Sequence, residues 1–160
     1  MIAMHVYSVR YGFKQSLTLP AKEAFDWCTD YKPYDFTLMN VTGKRRIRKI
    51  THDAILLIET TRGNKKIIAK TKLVRLNKPQ LSWTNVHISG PFRHSEFLYQ
   101  IEPVGKNHSR LNFTGLLIYY SRRALTRRTL RKIARDERRA DSQAWRYLST
   151  AMWKDARPDR

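Results

Sequence analysis

The feature that most constrains the fold is a run of six strand-like segments between Gly43 and Tyr120, joined by very short breaks. The segments are Lys44–Thr51, Ala54–Thr61, Lys65–Leu76, Gln80–Ile88, Arg93–Glu102 and Ser109–Tyr120. The breaks are His52-Asp53, Arg62-Gly63-Asn64, Asn77-Lys78-Pro79, Ser89-Gly90-Pro91 and Pro103–His108, all rich in turn-forming residues. Parallel neighbours need a crossover of a dozen or more residues, so these connections favour sequential antiparallel hairpins. In the last segment Leu111, Phe113, Leu117 and Tyr119 alternate onto one face, with Gly115 interrupting them. A glycine within a strand marks a bend or a close backbone approach, which a wrapped sheet requires.

The flanking segments complete the architecture. From Arg10 to Leu19 the period is two, with Tyr11, Phe13, Leu17 and Leu19 on one face, which reads as a half-buried strand. Pro20 sits where a helix can begin, and Ala21, Ala24, Phe25 and Cys28 form a short helical stripe. Asp30 to Asn40, with Pro33, reads as a second short helix or an irregular turn. From Arg122 to about Asp155 there is no Gly or Pro, and Ile133, Ala140, Ala144, Leu148 and Ala151 recur at helical spacing. A helix of that span would run about 50 Å, so a break or a projecting end is expected near Arg127–Leu130. The fold class is α+β: a curved antiparallel sheet of about seven strands around a long C-terminal helix, with two short helices after the first strand. No internal repeat or linker divides the chain, so residues 1–160 read as a single domain.

Charge bears on partners and not on fold. There are 32 Lys plus Arg against 13 Asp plus Glu, a net charge of +19. Such a surface attracts polyanions, whether nucleic acid, anionic lipid headgroups or acidic proteins; a solvated, weakly specific basic surface is the other reading. The single cysteine, Cys28, permits no intramolecular disulfide and suits a reducing compartment. The first twenty residues lack a continuous apolar block, so a signal peptide is not expected, and no apolar run approaches the roughly 20 residues of a transmembrane span. The expected location is cytoplasmic.

Two stretches carry a resemblance to a known family. One is Leu19-Pro20-Ala21-Lys22-Glu23-Ala24-Phe25-Asp26-Trp27, followed by Asp30. The other is Ser89-Gly90-Pro91-Phe92-Arg93 running into Phe97-Leu98-Tyr99-Gln100-Ile101-Glu102-Pro103, then Ser109-Arg110-Leu111-Asn112-Phe113. With the element order, they resemble the helix-grip fold of the START/Bet v1-like (SRPBCC) superfamily, in its polyketide cyclase and coenzyme Q-binding-like branch. The resemblance implies a hairpin at Gly90-Pro91-Phe92 and aromatic cavity-lining residues on the following strand. The chain departs from the pattern in its terminal helix, where Arg122–Arg139 carries nine basic residues with only Asp136 and Glu137 as acids.

A curved sheet closed by a helix leaves a concavity suited to a hydrophobic ligand. The candidate ligand-binding residues are Phe13, Phe25, Trp83, Phe97, Tyr99, Phe113, Ile133, Glu137, Ala144 and Trp145. Trp83 and Tyr99 have polar tips able to orient a ligand. Ile133, Glu137, Ala140 and Ala144 follow i, i+4, i+7, i+11, which places Glu137 on the apolar helix face as an acid, a base or a ligand anchor. The other reading of each is ordinary core, or a structurally paired carboxylate. The candidate polyanion-binding residues are Lys44, Arg45, Arg46, Arg127, Arg128, Arg131 and Arg135. The leading functional expectation is binding or transport of a lipid, isoprenoid or aromatic molecule. RNA or ribosome binding through the basic helix is the second, and a cyclase- or hydratase-like enzyme the third. No residue spacing points to a metal or cofactor: His5, His52, His87, His94 and His108 lack ligand spacing, although His87 and His94 flank one hairpin turn.

Overall fold

The computed structural model describes residues 3–63 and 66–157. Asn64, in one expected turn, and Lys65, the expected first residue of the next strand, lie outside the described residues. The elements follow the expected order: β1 (His5–Leu17), α1 (Ala21–Thr29), α2 (Asp35–Leu38), β2 (Gly43–Lys49), β3 (Ala54–Arg62), β4 (Ile67–Asn77), β5 (Ser82–Ser89), β6 (Glu96–Val104), β7 (His108–Ser121) and α3 (Arg127–Ala156). The seven strands form one antiparallel sheet in the order β1-β7-β6-β5-β4-β3-β2. Every neighbouring pair is a sequential hairpin except β1 with β7, which brings the first and last strands together, from His5↔Ser121 to Leu17↔Ser109.

Most boundaries shift by one to three residues from the sequence expectation, and the starts of β1 and the long helix shift by five. β1 begins at His5, five residues early, because β7 extends to Ser121 and supplies a partner for each added residue. The helix begins at Arg127 and runs 30 residues without a break, about 45 Å at 1.5 Å per residue. Thr126 sets the start, its hydroxyl accepting from the Thr129 amide at 3.2 Å. The residues after Ser121 thus form the connection, and the expected interruption at Arg127–Leu130 is instead the helix N-terminus.

α3 lies along β1 and is fastened at intervals. The Ser149 hydroxyl donates to the Ser16 carbonyl at 2.6 Å, Arg138 Nε to the Gly12 carbonyl at 2.9 Å, and Trp27 Nε1 of α1 to Asp155 at 2.8 Å. Its buried end, Leu148 and Met152, joins Leu17, Leu57, Val74, Trp83 and Leu111 in the main core. A second core cluster of Tyr11, Phe97, Phe113 and Leu117 lies between β1, β6 and β7. Gly115 makes that cluster possible. A Cβ there would lie 2.9 Å from the Tyr11 ring and 3.2 Å from the Phe97 ring, so the bare backbone lets both rings close over it.

Candidate functional site

Period-two alternation sends every second residue of the strands toward α3, and these inward residues line two adjoining, partly open chambers. The first, about 170 Å³, is walled by Trp83, Tyr99, Ala144, Trp145 and Leu148, with Tyr31, Asp35, Arg45 and Glu59 at its charged side. The second, about 110 Å³, is walled by Tyr11, Phe97 and Leu117 with Lys70, His87 and Glu137. Lys72, Asn85, Tyr99 and Asp141 line both and form the waist between them.

Of the ten candidate ligand residues, six line a chamber: Trp83, Tyr99, Ala144 and Trp145 in the first, and Phe97, Glu137 and again Tyr99 in the second. Phe13, Phe25, Phe113 and Ile133 face inward but line neither. Phe113 is sealed by the rings of Tyr11, Phe13, Phe97 and Tyr99 at 4.6–5.9 Å, and Phe25 packs edge-on behind Trp83 at 5.7 Å. Ile133 supports the second cluster from its margin. Trp83 and Tyr99 stack at 4.8 Å with an interplanar angle of 2°, and Trp145 tilts against Tyr99 at 5.9 Å. Two polar atoms on this wall are buried without an aligned hydrogen-bond partner: Trp83 Nε1, although the Tyr31 hydroxyl is nearby, and Asn85 Oδ1.

The floor is charged, which sequence reasoning missed. Glu59, 2% exposed, accepts from Lys72 Nζ at 2.6 Å and from Arg45 at 2.9 Å. Burial pushes the Glu59 carboxyl up, but the Lys72 and Arg45 charges outweigh it and hold the group below the usual range. Arg45 was expected among the polyanion-binding residues. Its side chain is only 6% exposed, lies 4.5 Å over the Phe36 ring, and meets Asp35 at 3.5 Å, so it is drawn inside. Lys44, Arg46, Arg127, Arg128, Arg131 and Arg135 are exposed, as that reading requires. A wider hollow of about 480 Å³ is lined by Arg128, Thr129, Lys132, Arg135, Asp136 and Arg139, residues of α3 alone, and so has no opposing wall.

Asp141 was also missed. Ala140 is exposed, and the inward stripe runs Ile133, Glu137, Asp141, Trp145, Leu148 and Met152. A small apolar residue next to a polar one suggested the opposite face. The Tyr11 hydroxyl donates to Asp141 Oδ2 at 2.5 Å. Burial pushes both the Asp141 and the Glu137 carboxyls up, and Asp141 raises Glu137 further. Two carboxyls one helical turn apart, a tyrosine and Lys70 thus surround one chamber, an arrangement able to hold or move a proton on a bound molecule. His87 and His94 part at their turn: the His87 ring packs on Phe97 at 4.8 Å, whereas His94 Nδ1 meets the Tyr120 hydroxyl at 2.5 Å. Among the described residues no cluster of His, Cys, Asp or Glu has metal-binding geometry, and no helix is long and apolar enough to cross a membrane.

No protein-family model matches the chain, and no curated protein matches it. Solved structures do. The Zhui aromatase/cyclase from Streptomyces sp. R1128 superposes with a TM-score of 0.67 at 13% identity, over 92% of this chain and 95% of that one. A protein from Thermus thermophilus gives 0.72 at 12%, covering 89% and 95%. Norcoclaurine synthase from Thalictrum flavum, in complex with dopamine and hydroxybenzaldehyde, gives 0.64 at 11%, covering 89% and 87%. The chain has the helix-grip fold that these solved structures share.

In this helix-grip chain the buried charges also set how stability responds to pH. Burial, and then Asp30, push the Asp35 carboxyl from 3.8 to about 7, despite Arg45. Between those values the folded protein holds a proton that the unfolded chain has released, so this group's contribution to stability falls as pH rises. His87 acts oppositely: burial, and then Lys72 and Lys70, lower it from 6.5 to about 3. In that window the unfolded chain binds a proton that the fold refuses, so stability falls on acidification. The two slopes oppose each other between about pH 4 and 6.5. Urea unfolding at pH 4, 5.5 and 7 should show Asp35→Asn gaining on the native protein as pH rises. His87→Phe should gain on it as pH falls. Parallel curves for native protein and variants would contradict the burial of these groups.

Proposed function

We propose that the protein binds a small aromatic molecule, its ring seated in the first chamber against Trp83, Tyr99 and Trp145. The observation that carries this reading is a wall of stacked rings, Trp83 on Tyr99 with Trp145 tilted against it, in which Trp83 Nε1 and Asn85 Oδ1 are buried without an aligned partner although the Tyr31 and Tyr99 hydroxyls are nearby. A buried donor or acceptor left unpaired costs about 1–3 kcal/mol, and a ligand with a matching polar group removes that cost. The chamber's size selects within the classes expected from sequence. A cavity of about 150 Å³ holds benzene, so about 170 Å³ suits one ring with a substituent. A lipid or isoprenoid chain would need the several hundred Å³ typical of larger pockets. The Thalictrum flavum synthase, whose structure contains dopamine and hydroxybenzaldehyde, supports the same class.

Native mass spectrometry of protein purified without detergent tests for a copurifying small molecule. Thermal unfolding with a panel of phenols, benzaldehydes and aromatic acids tests the class. At a hundredfold excess over its Kd a ligand adds about 2.7 kcal/mol. For a chain of this size that raises Tm by about 5–11 °C. Ala144→Phe, which projects a ring into the first chamber, should abolish the shift. A panel without any saturable shift, together with clean native mass spectra, would end this reading.

A further inference from the structure

The second chamber constrains the ligand's other end. Lys70 and Lys72 lie two apart on β4 and so share its inner face, but their surroundings differ. Lys72 is paired with Glu59, whereas no carboxylate of the described residues lies within 4 Å of the Lys70 ammonium. Its cross-strand neighbour on β3 is Glu59, which is already held by Lys72 and Arg45. Glu137 and Asp141 stand on α3 across the chamber, and burial moves both toward their neutral forms. Beside Lys70, His87 is 6% exposed with Nδ1 unpartnered.

The backbone holds this end in place. The β4–β5 register shifts between Thr71 and Lys72, leaving Ile88 as the extra residue opposite them, a bulge that re-aims neighbouring side chains. Gly90, at φ +93°, closes over the Lys70 stem: a Cβ there would lie 2.5 Å from the Ala69 carbonyl oxygen and 3.0 Å from Lys70 Cγ. Lys70 is half-buried, and burial and then the Lys72 charge lower the pKa of its ammonium, so a bound anion would relieve the cost of holding that charge there.

We infer that the ligand is an aromatic carboxylate whose ring occupies the first chamber and whose carboxylate passes the waist to pair with Lys70. This rests on the aromatic reading above and adds the charge and position of the second group. The test uses the whole protein with three matched pairs, benzoate, phenylacetate and 3-phenylpropionate, each against its neutral amide, since the series varies the reach from ring to carboxylate. Titration calorimetry should show at least one acid binding ten times or more tighter than its amide. Lys70→Met should erase that preference without weakening the amide, and Lys70→Arg should keep it. The Tm of Lys70→Met should equal or exceed that of the native protein, because a partly desolvated charge without an ion-pair contact within 4 Å is removed. Equal affinity of acid and amide throughout, or a preference that survives in Lys70→Met, would overturn the carboxylate assignment while leaving the aromatic reading intact. Failure of acids and amides alike, in a protein that binds no phenol or benzaldehyde, would overturn both.

Discussion

Glu59→Ala is expected to destabilise the protein by about 3–5 kcal/mol, the usual cost of stranding the partners of a broken buried ion pair. Glu59 is the single carboxylate shared by Lys72 and Arg45, at 2.6 and 2.9 Å, and all three side chains are inside the fold. Without it two cations face each other across the cavity floor, with only Asp35, itself pushed up to about 7, close to Arg45. At 2–4 °C per kcal/mol the melting temperature should fall by about 6–20 °C. The triple variant Glu59→Leu, Arg45→Met, Lys72→Met should recover most of that loss, since an apolar replacement of a whole buried network is often neutral or better. A loss below about 1 kcal/mol for Glu59→Ala, the range of an exposed pair, would mean that the network is solvated and that the cavity floor is not as described.

Phe113→Ala is expected to cost a similar amount, about 3–5 kcal/mol, through a different mechanism: lost ring burial plus the void left behind. Phe113 is 3% exposed and touches four other rings, of which Phe13 is stacked at 4.6 Å and Tyr99 edge-on at 5.1 Å. Tyr99 forms the waist and also belongs to the first chamber's wall, so the loosened ring should lower ligand affinity as well. Phe13→Ala, at a half-buried position on the margin of the cluster, should lose distinctly less. Equal losses at both positions in chemical denaturation would contradict Phe113 as the centre of the aromatic cluster.

Local patterns revealed most of the framework and little of the cavity. The hairpins were legible because turn residues and period-two alternation are properties of neighbours in sequence. Phe97 and Tyr99 were legible as inward residues through the family resemblance, and Trp83 as an aromatic candidate for the concavity of a curved sheet. Glu137 was placed on the inner helix face even though the supporting stripe was partly mistaken, because Ala140 carries too little side chain to identify a face. Glu59, Lys70 and Lys72 carry no sequence signal that sets them apart from the other polar residues of their strands. A lysine that enters a core and one that enters water look alike until a partner is known. Nothing near Arg45 in the sequence marks it apart from Lys44 and Arg46, yet Glu59 and Asp35 turn it inward.

By itself the sequence determined the element order, the antiparallel pairing of hairpins and the long terminal helix, because each depends on propensities and spacings within about a dozen residues. Tertiary structure alone decided which charges became interior. The pairing of β1 with β7 and the passage of α3 along β1 bring Tyr11 to Asp141, 130 positions away. The β3–β4–β5 register sets Glu59, Lys70, Lys72 and His87 on one inner surface. Whether a buried charge is tolerated depends on what stands opposite it, and opposition in space arises only when the sheet has closed around the helix.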